Sequence, residues 1–215
     1  MGKKIIKKLG DIVIPHHDRH DHLKNCLDSF DNTLFNIIIV SGATFAQNCN
    51  KGAKLAETNK LIFLNDDTLP STEHLKAICD NLGRFHFVGS TQITGKGVKY
   101  YGLGINATND KFVVSVQLKN NRSLLPSGFC FGFRKNEWES LGGFNESFKN
   151  GDEDVDLGFR AKDKGLKINI LDLEIKHLES QSIDRFKFIA ENEDLFYSIY
   201  NQEYLKNQYE HSTRL

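Results

Sequence analysis

The chain has 215 residues, 39 % apolar and 26 % charged, which suits one α/β domain with a sizeable core. Basic and acidic residues number 28 each, so the formal charge is zero and nucleic-acid binding by bulk charge is disfavoured. No apolar run reaches membrane-spanning length, and the basic start MGKKIIKKLG lacks the apolar stretch of a secretion signal.

Ile6 stands where a myristoylation signal would carry Ser or Thr. Lys3, Lys4, Lys7 and Lys8 read as a solvated extension over residues 1–10, with peripheral contact to an anionic membrane surface as the lesser alternative. Cys26, Cys49, Cys79 and Cys130 form no C-x-x-C pair and read as reduced, mostly buried thiols. A cytoplasmic location is the expectation.

In chain order, Asp11 to Pro15 is a β-branched run stopped by proline and reads as a buried strand. His22 to Phe30 carries Leu23, Cys26, Leu27 and Phe30 at helical spacing. Phe35 to Val40 predicts a second strand, Asn48 to Thr58 a helix, and Leu61 to Leu64 a third strand that ends in Asn65-Asp66-Asp67-Thr68. Alternating strands and helices at this density indicate a parallel sheet with helices on its faces. A helix is expected over Ser71 to Leu82, with Ser71 or Thr72 as its cap. Phe85 to Leu125 is richer in strand formers and glycine. Leu157 to Lys164 predicts a helix ending at Gly165, Lys167 to Ile175 a last strand, and Ser182 to Tyr204 the core of a helical tail over 182–215. No repeat or linker interrupts the chain, so 1–215 is read as a single domain.

In an open parallel sheet, ligands bind beyond the carboxyl ends of the strands. Pro15-His16-His17-Asp18, Ser41-Gly42 and Asn65-Asp66-Asp67 all fall there. Adjacent carboxylates repel unless a cation or donors offset them, so Asp66-Asp67 reads either as a site for a hard cation, Mn²⁺ or Mg²⁺, or as a solvated turn. Asp152, Glu153, Asp154 and Asp156 form a second acidic cluster. A calcium loop starting at Asp152 would need Gly and Glu where Leu157 and Asp163 stand. A helix N-terminus and a general base remain as alternatives. His16, His17, His20 and His22 lack the partners of a closed zinc site. His177 follows the last strand, and a lone histidine there is structural or a ligand. No phosphate-loop or dinucleotide glycine motif is present.

Four blocks in order resemble family 2 glycosyltransferases, and more loosely the rhamnosyltransferase-like members. They are Asp11 to Arg19 with Leu23, Cys26, Leu27, Ser29 and Phe30; Phe45-Ala46 with Asn50, Gly52 and Ala56; Leu61 to Pro70; and Gly128 to Arg134, Gly142 to Glu146 and Glu153 to Leu157 with Arg160 and Gly165. The resemblance implies a GT-A fold, with a mixed, mostly parallel sheet flanked by helices. It implies inverting, metal-dependent transfer of a hexosyl or deoxyhexosyl group from a UDP-, GDP- or dTDP-sugar to a hydroxyl acceptor such as a glycan. By position, Asp67 and His177 would hold the cation, with Asn65 or Asp66 contacting ribose or supporting the metal. Pro15, His17, Asp18 and Asn50 would line the nucleotide site. Asp154 would be the base, with Glu153 beside it. Trp138 would lie near the acceptor side, although a lone tryptophan reads first as core. The acidic loop that carries a base-reading aspartate in such domains has no counterpart here, because Val40 to Thr44 leads directly to Phe45. A non-catalytic nucleotide-sugar or glycan-binding module on the same fold is the competing reading. A nucleotidyltransferase ranks lower, because Pro15 to Arg19 is not a glycine-rich basic loop.

Overall fold

The computed structural model describes residues 7–18, 20–108, 111–119, 123–178 and 187–213. Lys3, Lys4, Arg19 and the expected start of the tail at 182–186, Phe186 included, lie outside the described residues.

The first three strands are β1 (Asp11–Pro15), β2 (Asn36–Val40) and β3 (Lys60–Leu64). They pair in parallel, with Asp11 opposite both Asn36 and Leu61. The buried Asp11 carboxylate accepts from Thr58 N, Glu57 N and Asn36 Nδ2, so a charge inside the sheet margin is offset by donors from two connections. Beyond β3 the sheet continues through β9 (Cys130–Arg134), β5 (Phe87–Thr94), β10 (Ile168–His177) and β4 (Thr68–Leu69). The strand β6 (Lys99–Tyr100) pairs with β5 off this path. β9 runs antiparallel to both β3 and β5, while β10 is parallel to β5 and antiparallel to β4. The ends of β1, β2, β3, β5 and β10 therefore share one sheet edge, and the start of β9 joins them there.

Side-chain alternation divides the core into two layers. Ile12, Ile14, Ile62 and Leu64 pack with Cys26 and Phe30, and with Leu75, Ile78 and Cys79 of α3 (Thr72–Asn81); Cys26 lies on α1 (His20–Asp28). Val13, Leu61 and Phe63 face the other way. They meet α2 (Phe45–Leu55), Trp138 of α4 (Lys135–Leu141), and Leu157 and Ala161 of α5 (Glu153–Asp163). A Cβ on Gly52 would stand 2.3 Å from Val13 Cγ1, so only glycine lets α2 lie this close to β1. Phe63 stacks between Phe131 and Trp138, with centroids at 4.9 and 4.2 Å, so Trp138 is a core residue. All four cysteines are free and buried. Burial holds the Cys26 and Cys49 thiols well above the usual thiol range and pushes Cys130 up to about 12.

A third apolar cluster lies outside the sheet. The hairpin of β7 (Leu103–Thr108) and β8 (Lys111–Val116) packs with Phe159 of α5 and with two tail helices, α6 (Ile189–Ile199) and α7 (Gln202–Thr213). The expected continuous tail helix is broken at Tyr200-Asn201, where Asn201 Oδ1 accepts from Tyr204 N and starts a new helix. Two other boundaries differ from the sequence reading. α2 begins at Phe45 rather than Asn48, because Thr44 and Gln47 form a capping box. α5 begins at Glu153 rather than Leu157, which puts the second acidic cluster in a helical first turn. Among the described residues, no helix is long and apolar enough to cross a membrane.

Candidate active site

The first cluster forms where β1, β3 and β10 end. Asn65 to Thr68 is a turn, closed by Thr68 N donating to Asn65 O. The turn is not solvated, since Asp67 is only 8 % exposed. Pairing of β4 with β10 sets Thr68 opposite His177 and brings His177 Nε2 to 2.9 Å from Asp67 Oδ1. Phe129 stacks on the His177 ring at 5.2 Å and fixes its plane. On the other side, His16 Nδ1 and Asp66 Oδ2 are 2.7 Å apart, and His17 N also approaches that oxygen at 3.4 Å. Each aspartate of the pair thus meets one buried histidine.

This edge also holds polar atoms that the protein leaves unsatisfied. Among the described residues, His16 Nε2, Asn65 Oδ1, Thr68 Oγ1 and His177 Nδ1 are buried and have no hydrogen-bond partner. Buried orphans are costly, and at a cleft they mark places that a ligand or water fills. Asp67 and His177 are the residues that could hold a divalent cation. In the structure the two side chains contact each other directly, Nε2 to Oδ1 at 2.9 Å, and His177 Nδ1 is left without a partner among the described residues. Among the described residues, no three His, Cys, Asp or Glu side chains converge as a self-sufficient metal set.

The second cluster opens α5. Asp152 precedes the helix in a left-handed conformation, φ 65°, and makes no side-chain cap bond. Glu153 is 5 % exposed and accepts from Gly151 N. Burial first, and the neighbouring Asp154 charge second, push Glu153 up to about 8. Asp156 is committed to structure. Its carboxylate pairs with Arg160 at 2.7 Å and accepts from the Tyr200 hydroxyl at 2.9 Å, while Arg160 also donates to Leu141 O and Gly143 O.

Asp154 is turned toward the sheet. Its Oδ2 accepts from Gly128 N at 2.7 Å, and Oδ1 accepts from Val155 N at 2.9 Å. A Cβ on Gly128 would lie 3.0 Å from Oδ2, so glycine is what permits this approach. The next residue, Phe129, accepts from Asn65 N through its carbonyl and stacks on His177 through its ring. Residues 128–129, just ahead of β9, therefore tie the two acidic clusters together.

The remaining expected residues are distributed unevenly. Pro15 closes β1, and His17 and Asp18 sit just beyond it with highly exposed side chains. Asn50 is engaged elsewhere. Its amide donates to Phe144 O and Glu146 Oε1 and accepts from Phe144 N, locking the 143–146 loop to α2. The sequence names His16 only within the histidine cluster, and Gly128 and Phe129 only within the block Gly128 to Arg134, and gives none of the three a site role. The parity of β1 carried the signal for His16, which continues the face of Ile12 and Ile14. Nothing local shows what Gly128 and Phe129 contact, because their partners are distant in the chain.

No curated protein matches the chain. Among solved structures, the catalytic domain of Drosophila beta1,4-galactosyltransferase 7, in complex with xylobiose, superposes with a TM-score of 0.53 at 15 % identity, covering 80 % of this chain and 71 % of that one. GalNAc-T7, solved with UDP, GalNAc and Mn²⁺, superposes with a TM-score of 0.60 at 12 % identity, covering 80 % of this chain and 43 % of that one. Both likenesses establish the GT-A fold. The family model "Glycosyl transferase family group 2" matches residues 60–204, more than half of the sequence and inclusive of both acidic clusters. The chain belongs to the family 2 glycosyltransferases and is a glycosyltransferase.

Proposed function

We propose that this enzyme transfers a sugar from a nucleotide-diphosphate donor to an acceptor hydroxyl with inversion, using Asp154 as base and a divalent cation at Asp67 and His177. The observation that carries the reading is the bridge at 128–129, which couples the Asp67–His177 pair to Asp154. The presence of UDP and Mn²⁺ in the GalNAc-T7 structure supports a nucleotide donor and a cation on this fold. A UDP-, GDP- or dTDP-sugar is the proposed donor class.

Neutralising charge on the donor diphosphate is the chemistry a cation supplies at Asp67 and His177. Asp66, held by His16, shapes the adjoining wall, and the unsatisfied Asn65 Oδ1 is available to donor hydroxyls. Pro15, His17 and Asp18 flank the nucleotide. In the transfer step the acceptor oxygen attacks the anomeric carbon from the face opposite the diphosphate. The bond from that carbon to the diphosphate oxygen breaks, and the electron pair leaves with the diphosphate. Asp154 takes the acceptor proton. Its two backbone N–H contacts fix the carboxylate's direction. Glu153, pushed to about 8, is neutral at pH 7 and adds no second charge beside the base.

The test is calorimetry with UDP-, GDP- and dTDP-sugars, with and without Mn²⁺. One donor is expected to bind with Mn²⁺, and Asp67→Ala is expected to abolish the Mn²⁺-dependent part. Unchanged binding in that variant would overturn the metal assignment.

A further inference from the structure

A cavity of about 290 Å³ lies between β8, the loop at 150–152 and α6, outside the sheet edge described above. Val113 and Val114 of β8, Phe196 and Tyr197 of α6, and the carboxylates Asp152 and Glu193 are among its lining residues. This is the make-up of a small-molecule site, apolar walls with a few convergent polar groups.

Several features show that these polar groups are not spent on the fold. Among the described residues, neither carboxylate nor the Tyr197 hydroxyl makes a hydrogen bond to a protein atom, whereas the neighbouring Asn192 is fully engaged with Lys149 and Gly151. The three groups do sense one another. Burial, then Asp154, then Glu193 push Asp152 up to about 6, while burial, then Glu193 and Asp152 raise the Tyr197 phenol. All three line the same cavity. Among the described residues, no lysine or arginine lines it.

We propose that this cavity is an acceptor subsite for an uncharged pyranose, and that it excludes anionic sugars such as uronides. The proposal rests on Asp154 being the base, because the cavity adjoins Asp152, two residues before it. One sugar face packs on Tyr197 and the valines. The carboxylates of Asp152 and Glu193 accept from its hydroxyls. A sugar carboxylate placed there would meet the like charge of Asp152 and Glu193, with no lysine or arginine among the described lining residues to offset it, which costs binding.

The experiment is saturation-transfer NMR on the full chain with methyl β-D-glucopyranoside, methyl β-D-galactopyranoside and methyl β-D-glucuronide. At least one neutral glycoside is expected to bind, and the glucuronide about tenfold or more weakly. Tyr197→Ala should weaken the neutral glycoside about tenfold, and Tyr197→Phe by less. Glu193→Lys, at an exposed position, should narrow the gap between neutral and anionic ligands. Glucuronide binding equal to that of the neutral sugars, no neutral binding at all, or neutral binding untouched by Tyr197→Ala would each overturn the subsite. Donor hydrolysis by the wild-type chain is read separately. Its absence alongside the expected binding pattern would overturn the catalytic reading, and with it the cavity's role as an acceptor site, while leaving the cavity standing as a selective sugar-binding site.

Discussion

The two acidic clusters use the same side chain in opposite ways. At the sheet edge, Asp66 and Asp67 each meet one histidine, and four buried polar atoms around them have no partner among the described residues. At the start of α5, Asp156 is closed off by Arg160 and Tyr200, and Glu153 is buried and protonated at neutral pH. The first region keeps hydrogen-bonding capacity in reserve for a ligand; the second spends it on holding a helix in place. Asp154 lies between these extremes, oriented by backbone donors yet partly exposed. Function is thus written less in the number of carboxylates than in how many of their contacts the fold has already consumed.

The contrast can be broken or sharpened by measurement. The largest effect is expected for Asp154→Asn, which should lower transfer by roughly 10²–10⁴-fold while donor binding persists. Near-wild-type turnover would move the base to another residue. Asp156→Ala should cost about 3 kcal/mol in urea denaturation, because it leaves Arg160 without its buried partner. Stability within error of wild type would show that the helix start is not closed as described.

The next effect is one of pH. Glu153 rises from 4.5 to about 8 on folding, so the folded chain keeps a proton that the unfolded chain has lost. Stability should therefore fall as pH rises between those values, by about 1.4 kcal/mol per unit for this one proton. Glu153→Gln should remove that slope, as read from denaturation midpoints across the range. Tyr200→Phe, which deletes one bond to Asp156, should cost about 1–2 kcal/mol. The smallest change is expected for Asp67→Asn without metal, less than about 1 kcal/mol in either direction, since active-site groups are seldom optimised for stability.

Much of the frame was legible in the sequence because it rests on local pattern. The runs Ile12 to Ile14, Ile37 to Val40 and Leu61 to Leu64 announce strands, the first and third of them buried, and the polar clusters behind those two meet at one edge as expected. Asp67 and His177, 110 positions apart in number, meet because β4 pairs with β10, a two-residue strand that no periodicity reveals. The start of α2 was misplaced because its signal is a capping box, Thr44 with Gln47, and not an apolar period. The tail reads as one amphipathic helix because its apolar spacing continues across Tyr200, and only the Asn201 cap divides it. Asn50, placed at the nucleotide site by resemblance, shows the converse difficulty, since its carboxamide is occupied by a loop about ninety residues later.

The reversed strand β9 has a consequence for how this chain must be made. β3 is an almost wholly apolar strand, and the neighbour on its open side is supplied by residues 130–134. A ribosome adding about 5–20 residues per second leaves that flank bare for several seconds. During this interval the nascent chain presents an unpaired hydrophobic margin, the kind of surface that recruits other strands or a chaperone. Fragments ending between Leu64 and Cys130 should accordingly be the least soluble products of truncation, as counted in the pellet after expression.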